Sequence, residues 1–448
     1  MNLHSMLKER AAAGKPVRVG VIGAGKFASM FLAQSRLAPG MVVSGIADLN
    51  IPRAYESLRR THWPEGSALT VRTAGEINDA AKGGKVGLTE SAMELIASDC
   101  EVILEITGNP EAGAKHAAAA IEAGKHVVMV NVEADCLLGP ALQKRAQKAG
   151  VVYSMAYGDQ PALIMEQVDW ARTIGMEVVC VGKGTRYQPE YHYSTPETVW
   201  GFYGFSEEQV ASGDYNPQMF NSFLDGSKSA IEMCAVANGA GFMVQSLGLQ
   251  FPAVSCNDLA EVLKPEEDGG ILSHAGTVEV VASEHRDGSP VDGDLRWGVY
   301  IVMRAPTTYV ERCFVEYGMK TDSTGKYSAL YRPYHYIGLE LGISVASAAL
   351  RGEPTGSSLS FMADVAATAK KDLRPGEVLD GEGGYTVFGK LVRAEDSLRN
   401  GFLPLGLTAG ARMTRPVVKG RSLTYADVEL DQSNLAYQLR KEVESGQS

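Results

Sequence analysis

The stretch Val17–Ala28, which reads VRVGVIGAGKFA, constrains the fold more than any other part of the chain. An apolar run typical of a buried strand leads into Gly23 and Gly25, and a helical pattern follows from Phe27 to Arg36. In this strand–turn–helix context the spacing G-x-G-x-x-A indicates a loop that cradles a dinucleotide pyrophosphate at a helix N-terminus. The predicted cofactor-binding residues of this turn are Gly23, Gly25, Lys26, Phe27 and Ala28.

An acidic residue at a suitable distance supports a cofactor site over a purely structural turn. Val42–Ile46 has the pattern of a second strand, and Asp48 follows it, 25 positions after Gly23. Such folds place an acid about 20 residues after the glycine turn, where it accepts the ribose hydroxyls of NAD and repels a 2′-phosphate. Arg53 lies close behind and is suited to that phosphate, or else is a surface cation. The residues alone leave NAD and NADP open, with Asp48 favouring NAD.

Residues 17–155 alternate strand-like and helix-like segments, which is typical of a parallel sheet with helices on both faces. We therefore predict a doubly wound α/β fold of the Rossmann type. A longer irregular connection is predicted over 64–87, and a helix over Pro140–Ala149. Polar residues that follow the strands are expected at the carboxyl edge of the sheet, where such folds bind ligands. They are Thr107, Gly108 and Asn109 for the cofactor, followed by Asn131, Glu133 and Asp159.

The pattern changes after the last of these strands. A strand is predicted over Glu177–Lys183, a helix over Asn221–Ala237, and three β-rich runs between 276 and 316. The C-terminal part has short strand patterns and many glycine turns, typical of a small β-rich domain. The predicted domains are 1–157 for NAD(P) binding, 158–355 for an α+β catalytic and dimerisation domain, and 356–448 for the β-rich domain.

Composition limits the classes of partner. The net charge of −11 argues against nucleic acid and anionic membranes, although an anionic substrate needs only a local basic pocket. No apolar run reaches the roughly 18 residues of a membrane span, and the start lacks the apolar core of a signal peptide. The six cysteines contain no C-x-x-C pair, so we expect neither a disulfide framework nor a cysteine zinc site. A cytoplasmic protein is the expectation.

The best catalytic candidates are Asp225, Lys228 and Glu232. Lys228 and Glu232 are four positions apart, so a helix places them on one face, and Asp225 is a candidate N-cap one turn earlier. The alternative is a surface ion pair of little energetic value. Because the surrounding residues of this segment are nearly all apolar, a cleft or an interface is favoured over that alternative.

Further candidates lie in two loops. Lys183 and Arg186 flank the loop GKGTRY and suit a phosphate or carboxylate, although a lysine also guards exposed edge strands. The aromatic segment that follows them in the sequence is predicted to line a pocket. The predicted substrate-binding residues are Arg186, Tyr187, His192 and Asn131. Glu133 and Asp135 are candidates for general acid–base work or for a hard metal ion, and equally for a helix cap. The metal requirement stays open, with Glu133, Asp135 and Glu232 as the candidate ligands.

Several runs resemble known families. GKHVVMVNVEAD and DGSKSAIEMCA resemble the cofactor and catalytic segments of homoserine dehydrogenases, and GKHVV also resembles the Gfo/Idh/MocA oxidoreductases. The tail, with KDLRPGE and LPLGLTAGARMTRPVVKGRSLTYADVEL, is similar to a SAF domain, a small β-clip module. A front of the first kind joined to such a tail resembles the DXR-like (DRL) enzymes.

The DRL resemblance implies an activity. It is the NADPH-dependent conversion of 1-deoxy-D-xylulose 5-phosphate to 2-C-methyl-D-erythritol 4-phosphate, in isoprenoid precursor synthesis, by a homodimer. NADH remains possible as the cofactor. That chemistry needs a cationic side chain that binds the phosphate, for which Lys183, Arg186 and Lys228 are candidates. It also needs a base, either Glu232 or Glu133, and a lysine or bound cation that polarises the aldehyde. The alternatives are a dehydrogenase of another small polar substrate and a non-catalytic NAD(P)-binding sensor or scaffold.

Overall fold

The computed structural model describes residues 2–212 and 215–446. The chain divides into two compact units, which we call the first and the second unit. The first contains Met1–Leu163, Tyr336–Leu359 and Asn434–Ser448, and the second contains Ile164–His335 and Ser360–Ser433. This division differs from three consecutive domains, because two later segments of the chain return to the first unit.

The helices and strands follow one another through both units. The strands are β1 (Val17–Ile22), β2 (Met41–Ala47), β3 (Ala68–Thr70), β4 (Val86–Thr89), β5 (Val102–Glu105), β6 (His126–Met129), β7 (Tyr153–Met155), β8 (Glu177–Thr185), β9 (Thr277–Ala282), β10 (Val299–Arg304), β11 (Tyr327–Arg332), β12 (Ala363–Ala369), β13 (Val387–Arg393), β14 (Arg412–Met413) and β15 (Val428–Glu429). The helices are α1 (Leu3–Ala12), α2 (Lys26–Ser35), α3 (Ile51–Arg60), α4 (Ala74–Lys82), α5 (Ala92–Ala97), α6 (Pro110–Glu122), α7 (Val132–Ala149), α8 (Gln160–Thr173), α9 (Val199–Tyr203), α10 (Glu207–Ser212), α11 (Pro217–Leu224), α12 (Ser227–Ala240), α13 (Leu259–Val262), α14 (Thr308–Glu316), α15 (Gly342–Arg351), α16 (Ala394–Asn400) and α17 (Leu435–Glu444). None of the described helices is long and apolar enough to cross a membrane.

The first unit is built on a seven-stranded sheet in the order β3-β4-β2-β1-β5-β6-β7. Every neighbouring pair in it is parallel. The strand order reverses beside β1, whose neighbours are β2 on one side and β5 on the other. The carboxyl ends of β1 and β5 therefore form the switch point at which doubly wound sheets bind ligands. The predicted Rossmann-type α/β fold is confirmed.

Two predicted segments of the first unit are wrong. Residues 64–87 contain β3, α4 and β4 instead of an irregular excursion, because a capping box of Thr73 and Glu76 starts α4 within a polar stretch. Helix α7 begins at Val132, eight residues before the predicted start at Pro140, because Asn131 caps its N-terminus and the proline lies inside the helix. Proline usually marks a first helical turn, which explains the misplaced boundary.

The second unit contains a four-stranded mixed sheet in the order β11-β10-β8-β9. β8 pairs with β9 in parallel and with β10 in antiparallel orientation. Helix α12 is buried at every position except Lys228, as expected of a helix that is apolar all round. The predicted helix over Asn221–Ala237 is two helices, because Gly226, at φ +85°, separates α11 from α12. Of the three β-rich runs predicted over 276–316, two are β9 and β10, and the third is helix α14.

The C-terminal part of the second unit has two small antiparallel pairs, β12 with β13 and β14 with β15. Ser227 at the start of α12 accepts a hydrogen bond from the Gly389 N–H, at 2.8 Å. The Asn238 side chain accepts from the N–H groups of Met362 and Ala363, at 2.8 and 2.9 Å. These short strands are therefore fixed to α12 through its two ends, while their similarity to a SAF domain stays a prediction.

Glycine in the central strand β8 allows close approach of neighbouring backbone. A Cβ atom at Gly182 would lie 1.7 Å from the carbonyl oxygen of Glu279, and one at Gly184 would lie 1.9 Å from that of Leu295. Backbone atoms cannot move aside as a flexible side chain does, so any side chain at these positions displaces a strand. Lys183 between them projects from the opposite face.

Gly182→Ala is expected to lower the free energy of unfolding by at least about 2 kcal/mol, because the new methyl group overlaps backbone. Chemical denaturation followed by circular dichroism measures the change. Gly201→Ala is the matched control, because a Cβ there meets no atom within 4 Å. It lies in α9 and should change stability by no more than about 1 kcal/mol. Equal effects of the two substitutions would contradict the packing described.

Candidate functional site

The glycine turn after β1 has the geometry that a dinucleotide requires. Gly23 adopts φ +100°, and a Cβ there would lie 3.1 Å from the Ile106 carbonyl oxygen. A Cβ at Gly25 would meet no atom within 4 Å, which leaves open space over the backbone. Gly25 is the N-cap of α2 and supplies no side-chain cap, so first-turn N–H groups face outward for an anion. The turn fits a bound pyrophosphate.

Asp48 connects this turn to the end of β2. Its Oδ2 accepts a hydrogen bond from the Ala24 N–H at 2.7 Å, and its Oδ1 accepts from the Asn50 N–H at 2.8 Å. Arg53 is exposed in the first turn of α3, which Asn50 caps. Each carboxylate oxygen has a second lone pair, so Asp48 retains acceptor capacity for a ribose hydroxyl.

A buried carboxylate organises the loop after β5. Glu105, the last residue of that strand, is fully buried and accepts hydrogen bonds from Thr107 Oγ1 at 2.6 Å and Asn131 Nδ2 at 2.9 Å. His116 Nδ1 lies 3.1 Å from the same carboxylate. Asn109 caps α6 through Ala112, at 2.9 Å. The predicted residues Thr107, Asn109 and Asn131 are thus brought together at the switch point.

Sequence reasoning missed Glu105 and His116. Glu105 could have been found from the sequence, because it is a charged residue at the end of an otherwise apolar strand, Val102–Glu105. A carboxylate is buried in such a strand only where hydrogen-bond donors surround it. His116 lies in the middle of α6, among alanines, and nothing in the local pattern pairs it with Glu105.

Glu133 and Asp135 lie in the first turn of α7, where acidic side chains interact favourably with the helix dipole. Glu133 is half-buried. Asp135 is buried, and its two oxygens accept hydrogen bonds from Tyr153 OH and Ser358 Oγ, both at 2.8 Å. Burial raises the pKa of Asp135 to about 6, against the opposing effect of these two donors. Within residues 2–212 and 215–446 no three His, Cys, Asp or Glu side chains are grouped to hold a metal ion.

Asp135→Asn is expected to remove a pH dependence of stability. The pKa is about 6 in the folded protein against a reference value of 3.8, so the folded state binds the proton more tightly. The free energy of unfolding therefore falls as pH rises from about 4 to about 6, by about 3 kcal/mol from this group. Urea denaturation at several pH values should show that the free energy of unfolding of the variant rises relative to that of the wild type over this range.

A companion variant tests the cause. Ser358→Ala removes a donor that lowers the pKa of Asp135, so the loss of stability should extend to higher pH. A difference between Asp135→Asn and wild type that stays constant from pH 4 to pH 7 would contradict the assignment.

In the second unit the structure joins two predicted residues in a buried ion pair. Lys183 lies inside β8, which begins at Glu177 as predicted and continues two residues beyond the predicted end, to Thr185. Its Nζ donates a hydrogen bond to Glu232 Oε2 of α12. The two side chains are only 4% and 2% exposed. Removing either partner of such a pair is strongly destabilising, because the other charge would then be buried without a partner.

Asp225 forms a second buried pair with a lysine that the sequence did not suggest. Lys370 Nζ lies 2.6 Å from Asp225 Oδ2 and donates to the carbonyl oxygens of Ser194 and Gly384, both at 2.8 Å. Burial raises the pKa of Asp225, and the Lys370 charge opposes that shift. Gly226, not Asp225, is the N-cap of α12, although Asp225 Oδ1 accepts from the Ser227 N–H at 2.8 Å.

His192 and Tyr187 hold the turn that precedes α12. His192 Nδ1 lies 2.7 Å from the Asp225 carbonyl oxygen, which only accepts, so Nδ1 carries a proton. Nε2 then accepts from Tyr187 OH at 3.0 Å, and the ring stacks on Phe388. Burial lowers the pKa of His192, in agreement with a neutral ring. Both ring nitrogens are therefore occupied by the protein.

Arg186 and Lys228 have different surroundings. Arg186 Nε donates to Glu284 Oε1 at 2.7 Å, and a second nitrogen donates to the Phe202 carbonyl oxygen. Lys228 is half-buried in the first turn of α12, with its Nζ 6.0 Å from the centre of the Phe223 ring. Lys228 thus lies at a helix N-terminus, where an anion is stabilised by both the lysine and the helix dipole.

The parallel sheet with a glycine turn at its switch point defines a nicotinamide-dinucleotide-binding domain. Residues 20–155 match the family model described as "Homoserine dehydrogenase, NAD binding domain". Residues 158–341 match the one described as "Oxidoreductase DRL, catalytic domain". The two matched stretches together indicate an NAD(P)H-dependent oxidoreductase.

The solved structures that match the chain are distant in sequence. A probable dehydrogenase from Thermotoga maritima is 13% identical, with a TM-score of 0.38, over 75% of this chain and 90% of that one. The 1-deoxy-D-xylulose 5-phosphate reductoisomerase from Zymomonas mobilis, in complex with NADPH, is 13% identical, with a TM-score of 0.37, over 76% and 82%. Biliverdin reductase from Synechocystis sp. PCC 6803 is 18% identical, with a TM-score of 0.26, over 39% of this chain and 48% of that one, about half its length. A search of curated proteins finds no match to the chain.

Proposed function

We propose that the protein is an NADPH-dependent reductoisomerase that converts 1-deoxy-D-xylulose 5-phosphate to 2-C-methyl-D-erythritol 4-phosphate. The observation that carries the proposal is the buried Lys183–Glu232 pair, which lies within the residues that match the DRL catalytic domain. A lysine and a carboxylate in direct contact supply the two groups that a rearrangement followed by reduction of an aldehyde requires.

Glu232 is the proposed general base. It accepts a proton from a substrate hydroxyl while the carbon skeleton rearranges, and Lys183 holds the carboxylate oriented by its hydrogen bond. Lys183 is the proposed electrophile that polarises the carbonyl oxygen of the aldehyde, because its ammonium group is shielded from water. When bound, the nicotinamide supplies the hydride. Glu133, in the first turn of α7, is the alternative candidate for the base.

Lys228 is the proposed phosphate-binding residue. Gly226, the N-cap of α12, has no side chain, and Lys228 in the first turn of the helix adds a full positive charge to its N-terminus. His192 and Tyr187 act in this proposal as positioning residues, because they fix the backbone of Asp225 directly before the helix.

The remaining parts of the proposal concern cofactor choice and assembly. We propose NADPH as the cofactor, with the exposed Arg53 binding the 2′-phosphate and Asp48 serving a ribose hydroxyl. We also propose a cytoplasmic homodimer that acts in isoprenoid precursor synthesis, with residues 356–448 as a SAF-like module. A dehydrogenase of an amino-acid semialdehyde is the second candidate, since residues 20–155 match a homoserine dehydrogenase domain.

Glu232→Gln is expected to lower kcat for 1-deoxy-D-xylulose 5-phosphate by about 10²–10⁴-fold, because an amide takes no proton from a hydroxyl. NADPH oxidation followed at 340 nm measures the rate. Lys228→Ala should chiefly raise KM, by about tenfold or more, because it removes a charge that binds the phosphate. Circular dichroism and NADPH titration show whether each variant is folded and binds cofactor.

Three outcomes of this assay decide between the functions. Turnover of the sugar phosphate that is lost in Glu232→Gln supports the reductoisomerase. Turnover of an amino-acid semialdehyde, with none of the sugar phosphate, supports the dehydrogenase. NADPH binding without turnover of either substrate refutes both enzymes and favours a sensor.

Arg53→Ala is expected to weaken NADPH binding about tenfold and leave NADH binding unchanged, because only NADPH carries the 2′-phosphate. Fluorescence titration with each cofactor measures the two affinities. Arg59→Ala is the matched control from the same helix, where the side chain pairs with Glu56 at 2.7 Å. An equal loss for both cofactors would contradict a role at the 2′-phosphate.

A further inference from the structure

A cavity lies in the first unit, at the edge of the sheet opposite the glycine turn. It has a volume of about 440 Å³, within the range of small-molecule sites. Its lining includes Arg18, the second residue of β1, and Val86, the first of β4. Arg18 is five residues before Gly23, about 16 Å along the strand, so this cavity is separate from the pyrophosphate turn.

The cavity is lined by a surplus of positive charge. Arg18, Arg36, Lys82 and Lys85 line it, against the carboxylate of Asp99 among the same lining residues. Arg18, Arg36 and Lys82 are exposed, and Lys85 is half-buried. In a protein of net charge −11 such a cluster of cations attracts an anion locally.

A β-bulge directs a polar group into the cavity. Val19 pairs with Val43 and Gly20 with Gly45, so Ser44 is an extra residue in β2. Ser44 is 3% exposed and lines the cavity, and its hydroxyl has no hydrogen-bond partner among the described residues. A buried hydroxyl without a partner is destabilising, and a ligand acceptor or donor would satisfy it.

Apolar residues, among them an aromatic ring, line another part of the wall. Trp63 lines the cavity, and its Nε1 donates to the Leu32 carbonyl oxygen at 3.0 Å. The indole N–H is therefore taken, which leaves the ring as an apolar surface. His62, at φ +58°, turns the chain directly before it. Met41 and Val43 extend this surface.

We infer that this cavity is a binding site for a small anion with an apolar body, distinct from the cofactor and substrate sites. The cations bind the phosphate or carboxylate, the Ser44 hydroxyl makes a directed hydrogen bond, and Trp63 with its neighbours packs on the apolar part. The inference does not depend on the proposed enzymatic function.

Phenyl phosphate and benzoate are the probes, and calorimetric titration of NADPH-saturated protein is the measurement, so that the cofactor turn is occupied. Saturable binding is expected for at least one probe below about 10 mM, and benzyl alcohol, which lacks the charge, should not bind. The tighter probe identifies the anion. The absence of saturable binding by both anions overturns the inference.

Variants locate the binding. The double variant Arg18→Gln/Lys85→Gln should bind the probe at least about tenfold more weakly, because two attractive charges are removed. Asp99→Asn should bind the probe more tightly, because a repulsive charge is removed. Ser44→Ala should weaken it without lowering the melting temperature, since the hydroxyl has no partner to lose. Lys148→Gln, an exposed cation outside the cavity lining, is the matched control. Equal affinity in Arg18→Gln/Lys85→Gln and in this control overturns the inference.

Discussion

The second unit depends on the contact between Lys183 and Glu232, which brings two opposite charges together away from water. Removing one partner of such a pair costs about 3–5 kcal/mol, because the other charge remains buried alone. The strand that carries Lys183 and the helix that carries Glu232 are therefore held in a fixed relation. Asp225 and Lys370 make a second buried pair immediately before the same helix. Together the two pairs fix α12 at its start and in its middle.

In the first unit, the buried carboxylate of Glu105 has a comparable structural role. Its carboxylate holds Thr107 and Asn131, each at the end of a neighbouring strand, and it also contacts His116. The loops at the switch point are in this way held rigid by a buried acceptor, while the glycine turn beside them stays open to a ligand. The arrangement separates two tasks, since polar side chains hold the loops in position and backbone N–H groups bind the phosphates.

Sequence patterns were reliable where local physics decides the structure. Gly23 and Gly25, the strand before them and Asp48 after the second strand all follow from turn geometry and apolar periodicity. The same reasoning ended β8 at Lys183, two residues before its end at Thr185, because the glycines on both sides of Lys183 are typical turn residues. In the structure these glycines serve close backbone approach within a central strand, which involves Glu279 and Leu295, far away in sequence.

The sequence by itself determined the Rossmann-type sheet, the position of its glycine turn and the class of cofactor, since each depends on residues close together along the chain. Only the tertiary structure decided which charges meet. Glu232 lies four residues from Lys228, yet it accepts its hydrogen bond from Lys183, 49 residues away. Asp225 meets Lys370 across 145 positions. Partners of buried charges are chosen by which strand packs against which helix, and local spacing carries no information about that packing.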